Sequence, residues 1–277
     1  MISLKKKIKK FFKKLLKIIK KPEMRILPGQ LAFFFLLSLI PLVAVIASIV
    51  SNFSISIESL MELISETLPT EVAGFLNEAI GGKSITFNIA IFYISAFILA
   101  SNGPHSMIIG SNLIYNVEDK DFLSRRIKAM LMTIILVILL TFMLIVPAFG
   151  DKIIILITNF LGNSAINHTI TTVYGILKYP ISFLLIFICI KLLYTMAPDK
   201  MIKSKDTTYG AMFTTISWIL STEIYSFYVS YFAKYNLLYG SIANLLILLL
   251  WVYLLSYIFV LGMALNASSE QTEEKEE

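Results

Sequence analysis

The sequence predicts an all-α membrane bundle with six transmembrane helices, and three observations carry that expectation. From Leu31 to Ser51 the chain runs without a charge, and comparable apolar stretches recur along its 277 residues. A bilayer core of about 30 Å takes roughly 20 apolar residues as a helix, whose backbone groups satisfy one another where no water can. The composition agrees, at 57% hydrophobic and 15% charged with a mean hydropathy of +0.80, too apolar for a soluble domain of this size. Finally, the net charge of +6 is concentrated: ten lysines fall within the first 21 residues. A charge block beside an apolar span reads as a membrane-surface contact rather than a nucleic-acid site.

The first element is a basic amphipathic helix over residues 1–22. Leu4, Ile8, Phe11, Phe12, Leu15, Leu16 and Ile19 recur at three- and four-residue spacing, and Lys9, Lys10, Lys13, Lys14, Lys17 and Lys20 fill the other face. Such a helix should lie on an anionic cytoplasmic leaflet, each Lys contributing on the order of 1 kcal/mol. The plainer reading is a basic tail that only orients the chain. The cationic stretch is long and no small-residue cleavage pattern precedes the first span, which speaks against a cleaved signal peptide. Pro22 should end the helix, and Pro28-Gly29 reads as a turn into the first span.

The six expected spans are Leu31 to Ser51, Ile85 to Gly103, Ala129 to Pro147, Val173 to Ala197, Tyr209 to Phe232 and Ile242 to Asn266. They define a domain over residues 31–267. One loop carries Lys120, Arg125, Arg126 and Lys128 and another Lys200, Lys203 and Lys205, so with the lysine-rich N-terminus these are cytoplasmic by the positive-inside rule. Both termini then face the cytoplasm. On the outer side, Ser54 to Ile80 alternates apolar residues with glutamates at helical spacing until Pro69, which predicts short outer amphipathic helices. Lys152 to Gly162 is apolar but too short to cross. Residues 268–277 read as an acidic disordered tail.

Ser101-Asn102-Gly103-Pro104 interrupts the second apolar stretch, since proline removes a donor and clashes with the preceding turn. Asn102, Gly103 and Pro104 are therefore candidates for a cavity wall, with ordinary helix termination as the alternative. Glu223 falls roughly 13 Å inside the fifth span and Lys178 roughly 8 Å inside the fourth, both measured from the outer end at 1.5 Å per residue. A charge in lipid must be paired, hydrated or neutralised. A Glu223 and Lys178 pair answers both demands, either as a static bridge or as a proton- or substrate-coupled switch. Lys191 can snorkel, and Asn88, Asn244 and Asn266 read as interhelical glue.

No enzyme is expected. His105 and His168 should lie on opposite sides of the membrane, and no zinc-protease helix, phosphate loop or nucleophile elbow occurs. The single Cys189, inside an apolar stretch, reads as a core residue. No cofactor or metal is expected.

Three stretches resemble the YihY/BrkB family of bacterial inner-membrane proteins. They are Leu31 to Pro41; Ser111-Asn112-Leu113-Ile114-Tyr115 with the acidic-basic loop after it; and Tyr239-Gly240-Ser241 with Leu250-Trp251-Val252-Tyr253 and Gly262-Met263-Ala264-Leu265-Asn266. The resemblance implies a multi-pass protein with proposed roles in exporting solutes or moving lipid-like molecules, and no settled substrate. Family members usually carry an acidic residue where Ala264 stands, and Glu223, at another depth, is no obvious substitute. Members have also carried the label ribonuclease BN, which the missing ligand cluster argues against transferring. The functional expectation is thus a transporter or exporter of a small solute or amphiphile; the alternative is a non-transporting scaffold that organises lipid or an envelope partner. Anionic lipids are expected as partners and nucleic acid is not, while homo-oligomerisation is left open.

Overall fold

The computed structural model describes the backbone of residues 13–52, 61–62, 65, 73–74, 89–140, 164–231 and 243–273. Side chains are described over residues 13–38, 61–62, 65, 73–74, 94–140, 177, 180–229 and 245–269. Among the described residues all regular structure is helical. In chain order the helices are α1 (residues 13–19), α2 (Glu23–Asn52), α3 (Ile89–Ala100), α4 (Asn102–Tyr115), α5 (residues 122–140), α6 (Ser164–Met196), α7 (Thr208–Tyr231) and α8 (Ala243–Glu273). The Leu245–Ser269 stretch of α8 is long and apolar enough to cross a bilayer, and Pro180–Met196 of α6 is a shorter apolar stretch. The other five expected spans reach residues whose side chains lie outside those described.

Helices α2 and α8 form the middle of the bundle. Helix α8 packs on α2, α7 and α4, while α2 also packs on α3 and α4, and α6 packs on α7. Phe259 of α8 is fully buried where these meet. Its ring lies 4.6 Å from that of Tyr194 on α6, 6.1 Å from Trp218 on α7 and 6.4 Å from Phe35 on α2.

Helices α7 and α8 run antiparallel and are zipped at steps of three or four residues. At the first rung, Gly210 N donates to Asn266 Oδ1 at 2.7 Å. One turn on, Tyr194 Oη donates to the Phe259 carbonyl at 2.7 Å, so its single proton is committed and Thr214 Oγ1, also at 2.7 Å, donates to it. Trp218 Nε1 then donates to the Leu255 carbonyl at 2.8 Å, Trp251 Nε1 to Thr222 Oγ1 at 3.4 Å, and Tyr225 Oη to the Ile247 carbonyl at 2.7 Å. Two glycines permit the closest approach. A Cβ on Gly210 would fall on the Gly262 carbonyl oxygen and 2.5 Å from Asn266 Oδ1; one on Gly262 would fall on Thr214 Oγ1 and 2.6 Å from Tyr194 Oη.

Several boundaries differ from the sequence expectation. Pro28-Gly29 is not a turn, because α2 begins at Glu23 and carries both residues within it. Pro28 is buried in its second turn, between buried Leu27 and Leu31, and this packing offsets the lost backbone hydrogen bond. The chain does not end its second helix at Gly103: α3 stops at Ala100 and α4 runs on to Tyr115. Pro180 lies inside α6 without ending it. The stretch read as an acidic tail is helical as far as Glu273, with Lys14 Nζ donating to Ser269 Oγ at 2.8 Å and tying α1 to that end of α8. Of the outer segment, Met61, Glu62, Ser65, Ala73 and Gly74 are helical; the rest of it, and residues 152–162, lie outside the described residues.

The connection from α4 to α5 is locally specified. Asn116 adopts the left-handed conformation (φ 53°, ψ 45°) that asparagine tolerates at a helix end, and Val117 N closes the turn onto the Asn112 carbonyl at 2.8 Å. Asp121 then caps α5, accepting from Ser124 N at 3.0 Å and from Ser124 Oγ at 2.7 Å.

Replacing Gly210 by alanine should part α7 from α8, and overpacking of this kind costs about 1–3 kcal/mol. Thermal unfolding of the detergent-solubilised protein measures it: Gly210→Ala is expected to melt several degrees lower, and Gly74→Ala, which meets nothing within 4 Å, is expected to melt no lower than the native protein.

Candidate functional site

The connection from α6 to α7, residues 197–207, is held from two sides. On one side Asn112 of α4, 1% exposed, uses both amide hydrogens and its carbonyl. Its Nδ2 donates to Asp119 Oδ1 and to Asp199 Oδ2, each at 2.8 Å, and its Oδ1 accepts from Asp199 N at 2.8 Å. Lys128 of α5 spends its three protons on the carbonyls of Ala197 and Pro198 (2.8 Å each) and on Asp199 Oδ1 (2.7 Å). The Asp199 side chain is 1% exposed, and Asp119 completes the group through an ion pair with Arg125. On the other side Asn266 Nδ2 donates to the Thr207 carbonyl at 3.3 Å, and the Thr195 and Thr207 hydroxyls meet at 3.0 Å.

Burial alone would raise the Asp199 pKa, but the hydrogen bonds from Lys128 and Asn112 and the charge of Lys128 outweigh it and hold the carboxyl below its ordinary 3.8. As pH falls, the unfolded chain takes up this proton first. The stabilising contribution is therefore complete above 3.8 and disappears as the pH drops through the lower folded value.

Beside this clasp lies the interruption between α3 and α4. The backbone carries on across it, with Ser101 N donating to the Phe97 carbonyl and His105 N to the Ser101 carbonyl, both at 3.0 Å. The Ile98 carbonyl accepts from Ser101 Oγ at 2.7 Å and from Arg126 Nη2 of α5 at 2.9 Å, and Arg126 Nη1 donates to Asn102 Oδ1 at 2.9 Å. Gly103 and Pro104 are buried, and a Cβ on Gly103 would meet Ser38 Oγ at 2.8 Å and the Phe35 ring at 3.0 Å. Gly103 therefore packs on α2, while Asn102 faces α5. One turn along, His105 stands edge-on to Phe122 of α5, ring centroids 5.8 Å apart. Burial, then Arg126 and Arg125, lower its pKa from 6.5 against the pull of Asp119, so the imidazole is neutral at pH 7.

The expected charge pair is divided by what can be described. Glu223 is exposed on the face of α7 opposite the zipper, in a stripe with Ile216, Ile219, Leu220, Ile224 and Phe227. Lys178 belongs to α6, and its side chain lies outside those described. Counted from the Thr195–Thr207 contact, both residues stand about 25 Å along their helices. Of the basic N-terminal face, Lys9 and Lys10 lie outside the described residues, Lys13, Lys17 and Lys20 are exposed, and Lys14 is half-buried against α8. Ile18 is buried, and Leu16 (58%) and Ile19 (37%) are exposed beside the lysines.

Sequence reasoning missed Asn112, Asp199 and Lys128 as a unit, and Arg126 as the group that holds the break. Asn112 and Asp199 are 87 positions apart, and no spacing rule joins them; the signal within reach was the Ser111 to Tyr115 motif with its charged loop.

The virulence factor BrkB family model matches residues 18–277. The chain belongs to the BrkB family. The putative ribonuclease-like protein YfkH of Bacillus subtilis is 32% identical over 248 residues, covering 86% of this chain and 87% of that protein. A UPF0761 membrane protein of Vibrio campbellii is 26% identical and one of Vibrio parahaemolyticus, VP0125, is 28% identical, each over 95% of this chain and 83% of the relative. No solved structure matches. This BrkB protein is thus a membrane protein of the BrkB/UPF0761 family, and two stretches that marked the resemblance, Ser111 to Tyr115 and Gly262 to Asn266, supply the clasp and the glycine crossing.

Asp199→Asn should lower stability at pH 7 by about 1.5–3 kcal/mol, the range for hydrogen bonds to charged groups. Unfolding followed from pH 7 down to pH 3 should show the native protein losing this advantage below 3.8, so that the two melting curves converge in acid.

Proposed function

We propose that the protein is a six-span bundle of the bacterial inner membrane, with both termini cytoplasmic, that moves a small solute or a lipid-like amphiphile between its helices. The observation that carries this reading is the interrupted α3–α4 helix, where a side chain from another helix, Arg126, takes up the Ile98 carbonyl. Broken helices whose backbone is satisfied from elsewhere are found where membrane proteins form substrate routes. Glu223 supports it, since a carboxylate in an outward apolar stripe of α7 must be matched by a cation, water or a proton. Lys178 of α6 is the cation the sequence offers it. No nucleotide-binding motif occurs in the chain, so coupling rests on an ion gradient or another subunit. Catalysis is not part of this reading, and the ribonuclease-like name of the Bacillus relative stays with that protein.

A scaffold that gathers anionic lipid is the second reading, favoured by α1. Its protein-facing side (Lys14, Ile18), exposed apolar side (Leu16, Ile19) and exposed lysines (Lys13, Lys17, Lys20) follow one another around the helix, the order a helix lying at a charged leaflet requires.

Reconstitution in liposomes separates the two. Uptake of at least one member of a panel of compatible solutes and labelled phospholipids is expected to saturate, and Glu223→Gln is expected to reduce it about tenfold or more. Absence of saturable flux across the whole panel overturns transport.

A further inference from the structure

Buried polar atoms in a folded protein nearly always have a hydrogen-bonding partner, so those without one point to a missing ligand. Among the described residues His105 Nε2 and Arg125 Nε are buried without a partner, and both belong to the contact of α4 with the start of α5. Arg126 lies beside them. Its guanidinium donates to the Ile98 carbonyl and Asn102 Oδ1, both neutral acceptors, whereas Arg125 is neutralised by Asp119 and Lys128 by Asp199. Asp121 caps α5, accepting from Ser124 N and Ser124 Oγ. The contact therefore sets the Arg126 guanidinium, which has no ion pair among the described residues, beside two buried polar atoms without a partner.

We infer that His105, Arg125 and Arg126 form a binding site for a phosphate group at the α4–α5 contact. Phe122, Arg125 and Arg126 share one face of α5 at three- and four-residue spacing, and Asn102 and His105 share the facing side of α4. A tetrahedral oxyanion has enough oxygens to accept from three such side chains at once, and arginine is suited to phosphate by its planar fork. The neutral imidazole presents Nε2–H to an anion in one tautomer, and a bound anion in turn favours its second proton.

The surroundings indicate the phosphate of a lipid. Beside the site Phe122 is 65% exposed, and Ile98 and Ile94 precede Asn102 at four-residue spacing on α3, 41% and 61% exposed. That stripe runs about 12 Å from Ile94 to Asn102 at 1.5 Å per residue and offers an acyl chain an apolar surface. The site deepens the amphiphile reading of the proposed function and rests on it for its purpose, but binding can be measured without flux.

The test uses the full chain, delipidated in detergent, with thermal unfolding and calorimetry as readouts and three probes: dioctanoyl phosphatidylglycerol, dioctanoylglycerol and inorganic phosphate. Phosphatidylglycerol should stabilise the protein saturably and dioctanoylglycerol should not. His105→Gln and Arg126→Gln should each weaken binding tenfold or more, with Lys203→Gln in the neighbouring loop unchanged. If Arg126→Gln fails to fold, because the break needs its hydrogen bonds, His105→Gln decides alone. Stabilisation by inorganic phosphate that His105→Gln abolishes also supports the site and assigns it to a free anion. Equal effects of the two dioctanoyl probes, or affinity within twofold of native in His105→Gln, overturn it. Binding without flux would leave this inference standing and remove the transport reading; flux without binding would do the reverse.

Discussion

The close crossing of α7 and α8 is the constraint on which the rest of the bundle depends. Helices in lipid gain little from burying apolar surface against one another, so they associate where small residues let backbones meet and polar groups can reach across. Gly210 and Gly262 supply the first condition, because either Cβ would occupy an atom of the opposite helix. The zipper supplies the second. Interhelical hydrogen bonds in membranes average only about 0.6 kcal/mol each, so their contribution here is mainly register. With rungs at every third or fourth residue of α7 from Gly210 to Tyr225, a slip of one residue would break them together.

That register sets the geometry at the α6–α7 connection. Once α7 is fixed on α8, Thr207 is fixed through Asn266 and Tyr194 of α6 through Thr214. The connection between α6 and α7 is thereby placed where Asn112 and Lys128 can grip Asp199. Asn112 lies on the same helix as the α3–α4 break, and Lys128 on the same helix as Arg126. The hydrogen bonds of Asn112 and Lys128 to Asp199 tie together the elements that carry His105, Arg125 and Arg126.

What the sequence disclosed follows the physics of each signal. Charge-free stretches and helical spacing foretold an all-helical chain, and the interruption at Ser101 to Pro104 was found because proline acts locally. Pro28 was misread for the same reason: its cost is local, but the compensation comes from burial among Leu27 and Leu31, which no local pattern displays. The end of α8 was placed too early because acidic composition gives no hint that Lys14 of α1 will reach Ser269. Arg125, Arg126 and Lys128 were legible only as topology signals. Their separate tasks depend on which carbonyls and carboxylates face them across the bundle. Asn266 was correctly seen as glue, although its glycine partner at position 210 was not.

Arg126 joins the break to the proposed site by charge. Had α3 and α4 formed one uninterrupted helix, the Ile98 carbonyl would have been served wholly by its own backbone, with no need of a guanidinium from α5. Acceptance by a neutral carbonyl and a neutral amide satisfies the hydrogen-bonding demand of Arg126 while leaving its charge without an ion pair among the described residues. Asp119 and Asp199 are each committed to another cation. A half-buried charge without an ion pair is costly to keep, so its place beside two buried polar atoms without a partner is most simply explained by an anion arriving from outside the chain.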